Sequence, residues 1–304
     1  MADIAESVTL LPATVATVGV RTRDGAGAEL RVVAADAAPA RALLWLPALG
    51  VGAHHYLPLA QALAARGVAV ALHEWRGTAS SSLRPRRGCD WGYRELLTLD
   101  LPASLAAARA ALPQARWALG GHSLGGQLAA LRLALAPDEA DALVLAGSGS
   151  PYWRTFPRPW AWTVRAAQSV LPLVARLRGH YPGRRFRFAG DEARGVIADW
   201  AASGRSGRYA PAALADDLEA ALRRLVQPVY ALRFADDPLG PAASLRWLLD
   251  KLPAAPCRSD ALDAAALGCR ADHFAWLKQP DAVAARIAHW LREVVDADSL
   301  SAAR

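Results

Sequence analysis

Short apolar runs alternate with helical patterns along most of this 304-residue chain, which predicts an α/β fold with a parallel sheet and helices on its faces. Two further observations shape that prediction. A serine between two glycine pairs stands where one apolar run gives way to a helical pattern, and the alternation breaks between positions 150 and 225.

The elements follow in order. "ELRVVAAD" and "ARALLWLPAL" read as early strands, and "YLPLAQALAARG" as a helix closed by Gly67, where glycine can take the left-handed conformation. "VAVALHEW" is the next strand. "GYRELLTLDLPASLAAARAAL" is a long helix interrupted near Pro102, "RWALGG" a strand, "LGGQLAALRLALA" the helix behind it and "ADALVLAGSG" a further strand. From 150 the chain turns rich in tryptophan, proline and arginine, and from Gly195 it reads as helix and turn with no strand pattern. Alternation resumes at "QPVYALRF", followed by a helix at "PAASLRWLLDKL", a weak strand near "PCRSDAL" and an amphipathic helix "DAVAARIAHWLREVVDA". Two sheet-forming segments, 1–149 and 226–304, therefore flank a helical insertion at 150–225.

Composition bounds the function. The chain is 53% hydrophobic and 21% charged, which fits a globular protein and excludes a mainly disordered one. A net charge of +7 could attract an acidic partner, yet the arginines are spread along the chain, and the densest groups, at 84–88 and 178–188, are too short for a basic tail. We expect solvated faces and no nucleic-acid partner. Cys89, Cys257 and Cys269 cannot all pair and lack metal-ligand spacing. The first twenty residues carry acids before any base and no continuous apolar region, unlike a secretory signal, and no run of about 18 apolar residues offers a spanning helix. A cytoplasmic protein without an integral membrane segment is the expectation.

The chemistry centres on "GGHSLGGQ", a G-x-S-x-G pattern from Gly121 to Gly125. A serine hydroxyl is a weak nucleophile and must be held where a base can take its proton. A sharp strand-to-helix turn presents the side chain in this way, and flanking glycines relieve the crowding. The helix that follows aims its unpaired amides at Ser123, so Leu124 is a natural oxyanion donor. A second donor belongs to the loop after "ARALLWLP", placed at Leu49. The competing reading is a glycine-rich turn of no catalytic meaning.

A serine of this kind needs a histidine, and the histidine an acid that fixes its tautomer. His54 and His55 precede the serine, His73 ends a strand, His122 is the variable position of the turn, and His180 lies in the insertion. His289 falls among apolar positions of the last helix and reads as a packed structural residue. His273, in "CRADHFAWL", is on a loop downstream of the last strand and is the candidate base. "YALRFADDPLGP" supplies Asp236 and Asp237 at a strand exit, where either could be the acid or the pair could cap the next helix.

These residues resemble the α/β-hydrolase superfamily. "GGHSLGG" is close to the lipase and esterase form, "FADDP" occupies the acid position with Phe234 where glycine is usual, and "DHF" sits at the histidine position. The resemblance covers nearly the whole chain and assigns the acid role to Asp237. "LHEWRGTASSS" looks like the family's "D-x-R-G-x-G-x-S" loop, with Glu74 and Ala79 departing from it. More narrowly the chain looks like an uncharacterised bacterial group of predicted hydrolases, in which the terminal motif is closer to "GHFGFF". The resemblance implies an α/β-hydrolase fold with a mostly parallel central sheet and a helical cap at 150–225. It also implies cleavage of an ester, thioester or related acyl bond of a small or lipid-like substrate through an acyl-Ser123 intermediate, with no metal or organic cofactor. Acyl transfer or perhydrolysis on the same three residues, and a ligand-binding member without turnover, are the alternatives.

Trp153, Trp160 and Trp200, with Phe156, Trp162 and Tyr209, either line an apolar substrate pocket or pack the insertion onto the body. The arginines at 184, 185 and 187 are candidates to meet an anionic substrate group.

Overall fold

Runs such as "ALLWL" and "VAVAL" are apolar at every position because they form strand segments buried on both faces. The computed structural model describes residues 13–302 apart from positions 37 and 187. Its strands are β1 (Thr14–Arg21), β2 (Gly27–Ala34), β3 (Arg41–Leu46), β4 (Val68–Leu72), β5 (Arg116–His122), β6 (Ala142–Ala146), β7 (His180–Pro182), β8 (Asp191–Ala193), β9 (Val229–Phe234) and β10 (Cys257–Leu262). Eight of them form one sheet in the order β1-β2-β4-β3-β5-β6-β9-β10, in which β2 pairs antiparallel with both neighbours and every other pairing is parallel.

Period-two alternation divides the core into two layers. In β3, Leu44 and Leu46 enter one cluster and Leu43 and Trp45 the other. The first layer lies under α2 (Tyr93–Glu95), α3 (Leu101–Ala111) and α4 (Leu124–Leu135), represented by Tyr93, Leu105, Leu128 and Leu131. A π-helical turn at Leu96–Asp100 joins α2 to α3, so the long helix expected at 92–112 is interrupted just ahead of Pro102. The opposite layer lies under α1 (Leu57–Ala64) and the final helix at Asp281–Ala302, through Leu59, Leu63, Ile287 and Leu291. Each fully buried Leu or Ile contributes about 1.5–3 kcal/mol by leaving water.

Between β6 and β9 the chain forms α5 (Trp160–Arg178), α6 (Gly183–Phe186), α7 (Arg194–Ser206) and α8 (Leu218–Arg224). α5 packs on α7, and α8 packs on α4. The strand-free expectation from Gly195 agrees with α7 and α8, but ahead of it β7 and β8 pair as a small antiparallel sheet. Strands of three residues are too short to show periodicity. After β9 come α9 (Ala242–Leu249), α10 (Ala264–Leu267) and α11, the final helix already described. The three cysteines are free thiols. Among the described residues no helix is long and apolar enough to cross a membrane.

Candidate active site

β5 ends at His122 and α4 begins at Leu124, so Ser123 alone must turn the chain. It does so at φ 55°, ψ −120°, a region that costs a non-glycine residue on the order of 1–3 kcal/mol. The turn fits only because its neighbours lack side chains. A Cβ on Gly125 would lie 2.1 Å from the Leu46 carbonyl oxygen, and one on Gly121 2.5 Å from the Gly125 carbonyl carbon. Ser148 Oγ donates to the Ser123 carbonyl at 2.9 Å and braces the bend from β6.

The carboxyl ends of the parallel strands carry the remaining groups, where open α/β sheets place their ligand crevices. Asp237 lies three residues past the end of β9, with its Oδ1 accepting the amides of Leu239 and Gly240 at 2.8 and 3.0 Å. Its Oδ2 accepts from His273 Nδ1 at 2.7 Å, and both side chains are buried. That bond fixes the tautomer and leaves Nε2 as the basic nitrogen. Asp236 is exposed and meets the histidine loop only through its amide, which donates to the Ala271 carbonyl at 3.0 Å. The His273 carbonyl accepts from Trp276 Nε1 at 3.0 Å, which holds the loop from the other side.

Ser123 and His273 line one cavity of about 550 Å³, together with Leu49 and Leu124. Among the described residues no hydrogen bond joins the serine hydroxyl to His273; such pairs are often loose without substrate and tighten when it binds. The Leu124 amide heads α4 and has no acceptor within the helix. On the loop after β3 the amide of Ala48 is already engaged, donating to Tyr56 Oη at 2.9 Å, while Leu49, which like Ala48 lines the cavity, is the next residue.

Tyr56 escaped the sequence reading. Its hydroxyl also hydrogen-bonds His122 Nδ1 at 2.8 Å, and so ties the loop after β3 to the residue before Ser123. His122 is fully buried and its ring centroid is 4.5 Å from that of His273. Burial, and then the neighbouring His273, hold the His122 imidazole well below its usual range, so it is neutral at pH 7. Sequence distance hides the pairing: Tyr56 reads only as an apolar residue at a helix start.

Of the predicted aromatics, Trp160 and Trp200 line the cavity, as does Phe156. Trp153 is not among the lining residues; from a one-turn 3₁₀ helix at 153–155 it packs on Trp162 of α5 at 5.0 Å, with Arg154 over its ring. Arg184 and Arg185 are exposed and do not line the cavity, Arg184 lying 4.0 Å from Asp191; position 187 is outside the described residues. His289 is exposed and paired with Glu293 at 3.2 Å, contrary to the packed role expected for it. Ile287 and Ala288 take the inner face of α11, and the next residue falls about 100° around the helix.

The "LHEWRGT" loop has a structural use. Arg76 is buried between Asp100 and Asp24, at 2.7 Å from each, and Glu74 accepts from Thr78 Oγ1 at 2.6 Å.

A sequence profile for the family described as alpha/beta hydrolase fold matches residues 41–258, well over half of the chain. The chain belongs to the α/β hydrolase fold family. Among curated proteins none matches the sequence. This α/β hydrolase fold protein is similar to a solved hydrolase from Pseudomonas aeruginosa, at 23% identity and a TM-score of 0.55 over 90% of this chain and 98% of the other. It is similar to a thermophilic esterase from Thermogutta terrifontis at 17% identity, TM-score 0.59, over 92% and 99% of the two chains. A Pyrococcus furiosus esterase matches at 15% identity and TM-score 0.56 over 96% of each chain. At these identities the likeness is one of fold.

Proposed function

We propose that the protein is a serine hydrolase that cleaves an ester or thioester of an apolar acyl group. The observation that carries this reading is the joint opening of Ser123, at its strained turn, and the Asp237-held His273 onto one largely apolar cavity. In the proposed reaction His273 Nε2 takes the Ser123 hydroxyl proton as Oγ attacks the acyl carbonyl carbon. The carbonyl π electrons move to oxygen, and the amides of Leu124 and Leu49 stabilise that oxyanion. Collapse of the tetrahedral intermediate breaks the bond to the leaving alcohol or thiol, which receives the proton from the His273 imidazolium. Water, deprotonated by His273, then attacks the acyl-Ser123 carbonyl, and the acid leaves with the serine hydroxyl restored. No step calls on a metal or an organic cofactor.

The cavity also speaks to the substrate. Its wall beyond Ser123 is Phe156, Trp160, Val164, Leu171, Val174 and Trp200, and among the described residues no Asp, Glu, Lys or Arg lines it. An apolar acyl chain fits such a wall, because an anionic group there would lose hydration without a compensating cation. That residues 150–225 supply most of this wall supports reading them as a cap over the site. A fluorophosphonate probe should label the wild-type protein and not Ser123→Ala. Equal labelling of both, or of neither, would overturn the nucleophile assignment.

A further inference from the structure

Between positions 150 and 190 the chain holds eight arginines and no aspartate or glutamate. The same stretch contains seven of the eleven large apolar side chains that are exposed among the described residues. Both facts describe one surface. On α5, Trp162, Leu173 and Leu177 stand 55%, 56% and 67% exposed and share a face at helical spacing, with Val170 between them. Arg165 and Arg176 fall along the edge of that face, and Arg178, Arg184 and Arg185 continue the charge past the helix end.

This surface surrounds the cavity mouth. Trp160, Val170, Phe186, Phe188 and Phe274 line the cavity and yet remain exposed, which makes them its rim. A contiguous apolar surface with basic neighbours marks a partner-binding face. We propose that this face docks the protein on anionic lipid bilayers, with the α5 stripe entering the headgroup region and the cavity mouth against the membrane. Arginines on the flank of an apolar helix face are suited to that interface, since each adds attraction to anionic headgroups while the apolar side chains bury among the acyl chains. A second copy of the chain is disfavoured as occupant, because two such faces would set like charges against each other. Nucleic acid would meet the arginines but leave the tryptophan and leucine stripe without a partner.

The test is co-sedimentation of the full chain with vesicles of phosphatidylcholine containing phosphatidylglycerol, against pure phosphatidylcholine vesicles. Wild-type protein should partition to the anionic vesicles in a salt-sensitive manner. Leu173→Asp/Leu177→Asp and Arg176→Glu/Arg178→Glu should each weaken partitioning roughly tenfold or more. None of these four residues lines the cavity, so thermal unfolding and any turnover of a water-soluble short ester should stay as in wild type. Absence of anionic-vesicle binding, or binding that both variants retain, would overturn the proposal. So would a dimer dissolved by the leucine substitutions, or retention on duplex DNA, in a protein that does not bind vesicles. The readout needs no catalysis and stands or falls apart from the esterase reading.

Discussion

Asp236 and Asp237 are chemically identical neighbours, and their surroundings separate them. Asp237 is buried with one oxygen on His273 and the other on two amides, whereas the Asp236 side chain is exposed. Under the proposed mechanism, Asp237→Asn loses the acceptor that selects the His273 tautomer and should lower kcat about 10³–10⁴-fold. Asp236→Asn should stay near wild type, and equal losses in steady-state kinetics would refute the division of roles. This contrast was partly legible in the sequence. The strand exit and the proline at 238 locate an acidic pair and the family resemblance points to Asp237, but the residues themselves leave the pair open, since consecutive residues leaving a strand diverge in direction and the fold decides which carboxyl turns inward. Serine, glycine and histidine were easier, because a G-x-S-x-G turn has few uses and a histidine on a loop after the last strand has few competitors. Trp153 failed the same reasoning, as adjacency in sequence to cavity residues does not place a side chain on the cavity.

Strands β3, β4 and β6 were legible because burial on both faces writes them as nearly unbroken apolar runs, and β5 and β9 because they are buried at all but one position each. Edge strands leave no such record. β1 is exposed at most positions and β10 buries only Leu262, so backbone pairing defines them more than side-chain pattern does. Contacts between elements are less legible still, and the Ala48–Tyr56–His122 chain is one of them. It joins the loop after β3 and the start of α1 to the end of β5 through a single hydroxyl. Tyr56→Phe removes that hydroxyl and leaves the buried Ala48 amide without its acceptor, a loss of about 1–3 kcal/mol in stability. Because the amide of Leu49 is carried on the same loop, kcat on a nitrophenyl ester should fall about tenfold or more while KM changes little. A variant equally destabilised but with unchanged kcat would show that the chain is structural and does not set the proposed oxyanion donor.

The segment between β6 and β9 approaches the loop after β3 closely at Gly190 and Gly50, where a Cβ on Gly50 would lie 1.8 Å from the Gly190 nitrogen. Two residues on, Glu192 is buried in β8, its Oε1 accepting the Gly190 amide at 3.1 Å. Burial pushes this carboxyl up to about 7, with Asp191 adding to the rise and the Gly190 amide and Arg184 opposing it. In the unfolded chain the same group ionises near 4.3. Between those values the folded protein holds a proton that the unfolded chain has released, so stability falls as pH rises through the window. Above pH 7 the folded state must carry a buried carboxylate that has no ion-pair partner at close range among the described residues. Glutamine keeps the oxygen that accepts from Gly190 and never ionises. Glu192→Gln should therefore exceed wild type in stability at pH 8 by up to about 3 kcal/mol, with the gap closing toward pH 5. Urea unfolding at the two pH values checks this, and a gap that is constant or widest at pH 5 would contradict a protonated Glu192. Since the hairpin that carries Glu192 abuts the loop bearing Leu49, weakened hairpin packing above neutral pH should also reach the cavity, and the variant should retain probe labelling of Ser123 at pH values where wild type loses it.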